Sequence, residues 1–188
     1  MRPFRAVAAM GTLNSLDSNH QDVPPELWRE DVRRYLSSSA LPIHFVGAGN
    51  PLRRDDGIGI FIASALKSRI TGVSRSKAIV HDRSRSHETL LSRLPTDEGL
   101  VVFDAVEAGL GPGSIICATI GDTRYSFFAT HNVPLAIIPG VAERKDRVCV
   151  MGIEPESLGI GEGLSPRVKA SAEALASEIA NQLVSTSG

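Results

Sequence analysis

Cysteine is scarce in this 188-residue chain: there are two, Cys117 and Cys149, each inside an apolar run (SIICATI and RVCVMGI) and neither in a C-x-x-C pair. That excludes a disulfide scaffold and a thiolate zinc site, and the expectation is a pair of buried, reduced thiols. No stretch approaches the roughly 18 apolar residues of a membrane span. The N-terminal apolar stretch Ala6–Met10 is shorter than the ~7–15 residues of a signal-peptide core. Neither sign of charge dominates, with 20 Lys+Arg against 21 Asp+Glu and a formal net charge of −1, so there is no general electrostatic footprint for nucleic acid. A cytoplasmic protein with neither membrane nor nucleic-acid partner is expected. Sixteen of the 20 cations are arginine, which favours bidentate contacts at interfaces. Glycine and proline, 17 and 11, are too few for a low-complexity chain. At this length, with 42% hydrophobic residues, one core can form without covalent staples.

What is present divides the chain in three. Residues 1–20 show no periodicity and read as a flexible tail. Residues 21–40 hold an amphipathic helix opened by Pro24-Pro25, with Leu27, Trp28, Val32, Tyr35 and Leu36 on one side and Ser37-Ser38-Ser39 closing it. Residues 41–188 read as a single α/β domain in which short apolar strands alternate with helices. Strands are expected at 43–46, 78–81, 100–103 (ending at Asp104), 114–120 and 147–151. Helices are expected at 58–69, with Phe61, Ile62, Ala65 and Leu66 inward, at 87–94, from Pro134, and from Ser165-Pro166 to about 184. This order argues for a mostly parallel, mixed sheet covered on both faces, with chemistry outside the carboxyl ends of its strands.

The loop Gly47-Ala48-Gly49-Asn50-Pro51-Leu52 stands where a dinucleotide fingerprint would, but Leu52 occupies the third glycine position. GxxxxGK(S/T), GxSxG and HExxH are all absent, which weakens nucleotide, serine-hydrolase and helical-zinc readings. Acids and imidazoles at strand ends remain. In the pair Asp55-Asp56, one aspartate is expected to cap the following helix, leaving the other to face the crevice. Asp104 follows four apolar residues, so its carboxylate must find solvent, a cation or a donor. His131 is an imidazole on a further connection. Two carboxylates and one imidazole meeting at one sheet edge suit a borderline divalent metal such as zinc, nickel or iron. The other histidines have weaker claims: His44 reads as core, His20 as tail, and His81 and His87 as flanks of Asp82.

GAGNPLRRDDGIG, VVFDAVEAGLGPGSI, THNVPL, and MGIEPE followed by LSPRVKASAEAL occur here in one order and spacing. Over residues 41–184 the chain resembles the NiFe-hydrogenase maturation endopeptidases, most of all the formate-hydrogenlyase-type and archaeal branch. The resemblance implies a three-layer α/β/α sandwich around a twisted sheet. It implies an endopeptidase that cuts a C-terminal extension from the hydrogenase large-subunit precursor once nickel is inserted, and a monomer is favoured. The family's metal-contacting positions fall on Asp56, Asp104 and His131, with Asp56 and Asp104 also carrying catalysis and the nickel belonging to the substrate. A polarised carbonyl or metal-activated water is the mechanism this implies. Asn50, Arg83, Ser84, Arg85 and Asn132 fall where the substrate tail is expected. The chain departs from the family where Asp82-Arg83-Ser84 replaces Asp-Gly-Gly, where Pro139-Gly140 cuts a helix, and where Glu154 replaces Gln. A non-proteolytic nickel-site sensor or assembly factor on the same fold is the alternative; a small-molecule hydrolase is disfavoured because nothing reads as a phosphate cradle.

Overall fold

The computed structural model describes residues 27–81, 90–119, 141 and 147–185. Five strands, β1 (Ile43–Gly47), β2 (Ala78–His81), β3 (Gly99–Ala105), β4 (Ile115–Thr119) and β5 (Val148–Ile153), form one sheet in the order β2-β1-β3-β5-β4. The first four strands in that order are parallel, and β4 runs antiparallel to β5 at the edge. The mixed α/β sheet is thus as expected. Strands β1, β3 and β5 are buried along their whole lengths, which is why they read as continuous apolar runs with no alternation.

Helices α1 (Leu27–Ser38), α2 (Ile58–Arg69) and α3 (Pro166–Ser185) pack on one face. There Ile43, Phe45, Phe103 and Met151 meet Tyr35 of α1, Ile62 and Leu66 of α2 and Leu175 and Ile179 of α3. The opposite face carries Val46, Leu100, Val102 and Val150, covered among the described residues by Leu91, Leu94 and Val141. The helices expected at 87–94 and from 134 lie largely outside the described residues. Cys117 and Cys149 are buried and unpaired, with sulfurs 3.4 Å apart; burial pushes the Cys149 thiol up, so it stays protonated and unreactive.

Helix α1 is joined to the body by polar as well as apolar contacts. The Tyr35 hydroxyl lies 2.9 Å from the Leu100 carbonyl and 2.7 Å from that of Arg147, and Arg29 donates to Glu178 at 2.9 Å. The serines close the helix as expected: Ser38 and Ser39 donate to the carbonyls of Arg34 and Tyr35 at 2.9 and 2.7 Å.

Strand ends shift by one or two residues from the sequence reading, β5 running on to Ile153, and two differences bear on the site. Strand β3 runs through Asp104 to Ala105, because both pair with β5 (Asp104 with Gly152, Ala105 with Ile153). The buried face of α2 is Ile58, Gly59, Ile62, Ala63 and Leu66, while Phe61 and Ala65 pack only at its margin. The cause is Gly59: a Cβ there would lie 2.1 Å from the Phe103 carbonyl oxygen and 2.3 Å from that of Ala48. The first turn of α2 presses its backbone onto the ends of β1 and β3, and this rotates the helix. The sequence spacing alone could not show so close an approach.

Candidate functional site

The parallel strands β1 and β3 end side by side, with the Ala48 N–H donating to the Phe103 carbonyl at 2.8 Å. Asp104 follows Phe103 directly. From β1 the chain passes through the glycine-rich loop into a 3-10 turn, Arg54–Gly57, which carries Asp55 and Asp56 and packs against β3. The fold therefore brings Asp56 and Asp104 to the same end of the sheet. Both are 1% exposed.

Asp56 is fixed from both its backbone and its side chain. The Asn50 N–H faces the Asp56 carbonyl at 3.1 Å and its carboxylate at 3.2 Å, and the Asp56 N–H donates to the Arg53 carbonyl at 3.1 Å. Asn50 holds the loop in turn, its side-chain oxygen accepting the Leu52 N–H at 3.0 Å as an Asx turn. Asp104 accepts the N–H of Ala105 at 2.9 Å.

Asp55 is the residue that sequence reasoning misjudged. Neither aspartate caps α2: the N-cap is Gly57, with no side-chain bond. Asp55 is instead fully buried and reaches across to the loop after β5. One of its oxygens accepts the N–H groups of Glu156 and Ser157, both at 2.9 Å, and the Ser165 hydroxyl at 2.8 Å; the other accepts the Ser165 N–H at 2.6 Å. Ser165 immediately precedes α3, so the carboxylate lies at that helix's N-terminal end, where the peptide dipoles favour negative charge. Backbone bonds complete the clasp: Arg54 N–H to Gly161 O at 2.8 Å, Gly161 N–H to Leu52 O at 2.9 Å, and Asp55 N–H to Ser157 O at 3.1 Å. The only signal in the sequence was the adjacency of two aspartates, and a local cap explained it more simply.

Glu154 was noted only as a departure from glutamine. Its carboxylate accepts the N–H groups of Ala108 and Leu110 at 2.7 and 3.3 Å and so shapes the loop that leaves Asp104. His44 is core, as expected, but not alone: its Nδ1 lies 2.7 Å from Nε2 of His81, and its Nε2 pairs with Glu98. The two rings stack, with centroids 5.0 Å apart. His81 is thus turned onto the sheet face towards His44. Opposite nitrogens of His44 serve the two partners, which makes a chain of hydrogen bonds and not a chelate. Burial, then the neighbouring His44, then Arg75 push His81 down to about 4. An unfolded histidine titrates near 6.5, so between pH 6.5 and 4 the unfolded chain binds the proton that the folded chain refuses. This contribution to stability is present above pH 6.5 and is lost as pH falls towards 4. His81→Gln is expected to flatten the fall in urea midpoint between pH 7 and 5; an unchanged slope would show that His81 titrates normally.

His131, Arg83, Ser84, Arg85 and Asn132 lie outside the described residues, as do His20 and His87. Among the described residues no three His, Cys, Asp or Glu side chains are grouped to hold a metal. A surface depression of about 480 Å³, lined by Arg69, Ser177, Ala180 and Asn181 among others, lies between the C-terminal parts of α2 and α3, away from the aspartates. No described helix is long and apolar enough to cross a membrane.

The family model for hydrogenase maturation proteases, HycI, matches residues 62–182, well over half of the chain. This chain belongs to the hydrogenase maturation protease family. The matched span includes Asp104, Asp55's partners in the 156–165 loop, and His131, and begins just after Asp56. The chain is 28% identical over 133 residues to the hydrogenase expression/formation protein HupD of Thiocapsa roseopersicina, a match covering 66% of this chain and 59% of that relative's length. The crystal structure of a NiFe-hydrogenase maturation protease, HycI, from Thermococcus kodakarensis KOD1 superposes with a TM-score of 0.68 at 26% identity, over 81% of this chain and 98% of that one. The hydrogenase maturating endopeptidase HybD of E. coli, at 22% identity and a TM-score of 0.59 over 77% and 93% of the two chains, shares the fold.

Proposed function

We propose that this member of the maturation protease family is an endopeptidase that removes a C-terminal extension from the nickel-loaded large-subunit precursor of a NiFe hydrogenase, acting in the cytoplasm as a monomer. The observation that carries this reading is that the 3-10 turn bearing Asp56, clasped in place by Asp55, packs against the end of β3 that bears Asp104. Nickel enters as part of the substrate. Two carboxylates with the His131 imidazole form a mixed oxygen and nitrogen donor set that suits nickel and leaves positions for the precursor's own ligands. Asp56 and Asp104 hold the metal-bearing end of the substrate, while Asn50, Arg83, Ser84, Arg85 and Asn132 contact its tail. The arginines add forked donors for carboxylates or carbonyls of that tail.

The test mixes the protein with the large-subunit precursor, with and without nickel, and follows trimming by mass. Trimming is expected only in the nickel-loaded sample. Asp104→Ala and Asp56→Ala are each expected to reduce it by on the order of a thousandfold, the scale of losing a metal's electrostatic contribution at a reacting centre. Trimming that ignores nickel would keep the protease and remove the nickel checkpoint. Stable binding without trimming would favour the assembly-factor alternative, to which the Arg83-Ser84 replacement of the family's glycines, followed by Arg85, lends itself.

A further inference from the structure

Leu52, Leu110 and Ile160 are three of the five large apolar side chains that stand exposed among the described residues, at 60%, 37% and 91%. All three lie on loops that leave the sheet at the edge of Asp56 and Asp104. The remaining two, Leu41 and Val184, flank the start of β1 and the end of α3. Scattered surface leucines need no explanation, but apolar side chains concentrated beside a site do.

Leu52 and Ile160 are also rigidly presented. Ile160 sits between Gly159 and Gly161, and Gly161 exchanges backbone hydrogen bonds with Leu52 and Arg54 at 2.9 and 2.8 Å. Arg53 pairs with Gly161 as an isolated bridge and donates to the Leu158 carbonyl at 3.3 Å. The Asp55 carboxylate ties the same two segments from below. A 91% exposed isoleucine on a loop so firmly held gives nothing to the fold, whereas it costs little entropy to bind against.

We infer that Leu52 and Ile160 form an apolar docking lip for the protein substrate, the large-subunit precursor, beside the cleavage site. This rests on the proposed function and deepens it. The occupant follows from continuity: Leu52 lies four residues before Asp56, and Ile160 is held beside it by the Gly161 backbone bonds, so the lip is part of the same clasped segment that presents Asp56 to the substrate. The rim is of mixed sign, with Arg53 and Arg54 exposed beside Glu156 and Glu162. An apolar centre with a mixed polar rim fits a folded or extended protein segment and not a polyanion.

Leu52→Ser, Ile160→Ser and the double variant would be assayed in the full chain for trimming of nickel-loaded precursor and, separately, for binding to it. Each single change is expected to raise KM roughly tenfold, the scale of one lost aliphatic contact, with kcat nearly unchanged. Melting temperature is expected to stay at the wild-type value, and Val184→Ser, exposed but remote, is expected to leave KM unchanged. Wild-type trimming with an unaltered KM in the double variant overturns the lip and leaves the protease reading standing. Weakened binding in the variants, where the wild type binds but does not trim, keeps the lip and removes the protease reading. A wild type that neither binds nor trims removes both.

Discussion

Asp55→Ala is expected to cost about 3–5 kcal/mol of stability, because three backbone N–H groups and the Ser165 hydroxyl lose a fully buried anionic acceptor together. For a domain of this size that is a fall of roughly 10 °C in melting temperature. Trimming is expected to fall with it even where the chain remains folded. Freed of Asp55, the 3-10 turn that carries Asp56 loses its carboxylate tie to the loop after β5 and keeps the weaker backbone bonds to Ser157 and Gly161. Asp55→Asn is expected to restore little, since its amide group would present a donor to a ring of donors. A calorimetric melt decides the matter: a midpoint within ~2 °C of wild type would mean that water replaces the carboxylate and that the clasp is dispensable.

The second large effect is expected at Gly49. Its φ of +115° is one that side chains rarely adopt, and a Cβ there would lie 1.7 Å from the Asp56 carbonyl oxygen. Gly49→Ala is therefore expected to cost at least ~3 kcal/mol in backbone strain and overpacking. Because the displaced atom belongs to Asp56, the loss of trimming is expected to exceed what the lost stability explains. Comparing trimming at a temperature where the variant is still fully folded separates the two. Wild-type activity in a destabilised Gly49→Ala protein would show that the turn tolerates displacement and that Asp56 is not the group being positioned. The glycines of the GAGN loop thus serve close backbone approach, which explains how a loop so like a dinucleotide fingerprint can lack its third glycine at Leu52 and still keep the first two.

The sequence by itself determined the α/β class, the order of the elements among the described residues, and the end of the sheet at which Asp56 and Asp104 lie. Each of these follows from local signals: the unbroken apolar runs IHFV and LVVF for strands buried on both faces, Ser165-Pro166 for a helix start, and polar residues at the ends of apolar runs. It also singled out Asp56 and Asp104, because a carboxylate that follows an apolar strand must answer to something. Tertiary structure alone decided what the neighbouring carboxylates do. Asp55 finds its four donors more than a hundred residues away, Glu154 reaches back to Ala108 and Leu110, and Glu98 meets His81 through His44 across the start of the sheet. No periodicity records such pairings, since a carboxylate's partner is set by the approach of two loops in space. The rotation of α2 was hidden for the same reason: it depends on the backbone of Gly59 lying against the carbonyls of Phe103 and Ala48. Sequence spacing reports which side chains share a face; how closely two backbones meet is settled only when the elements pack.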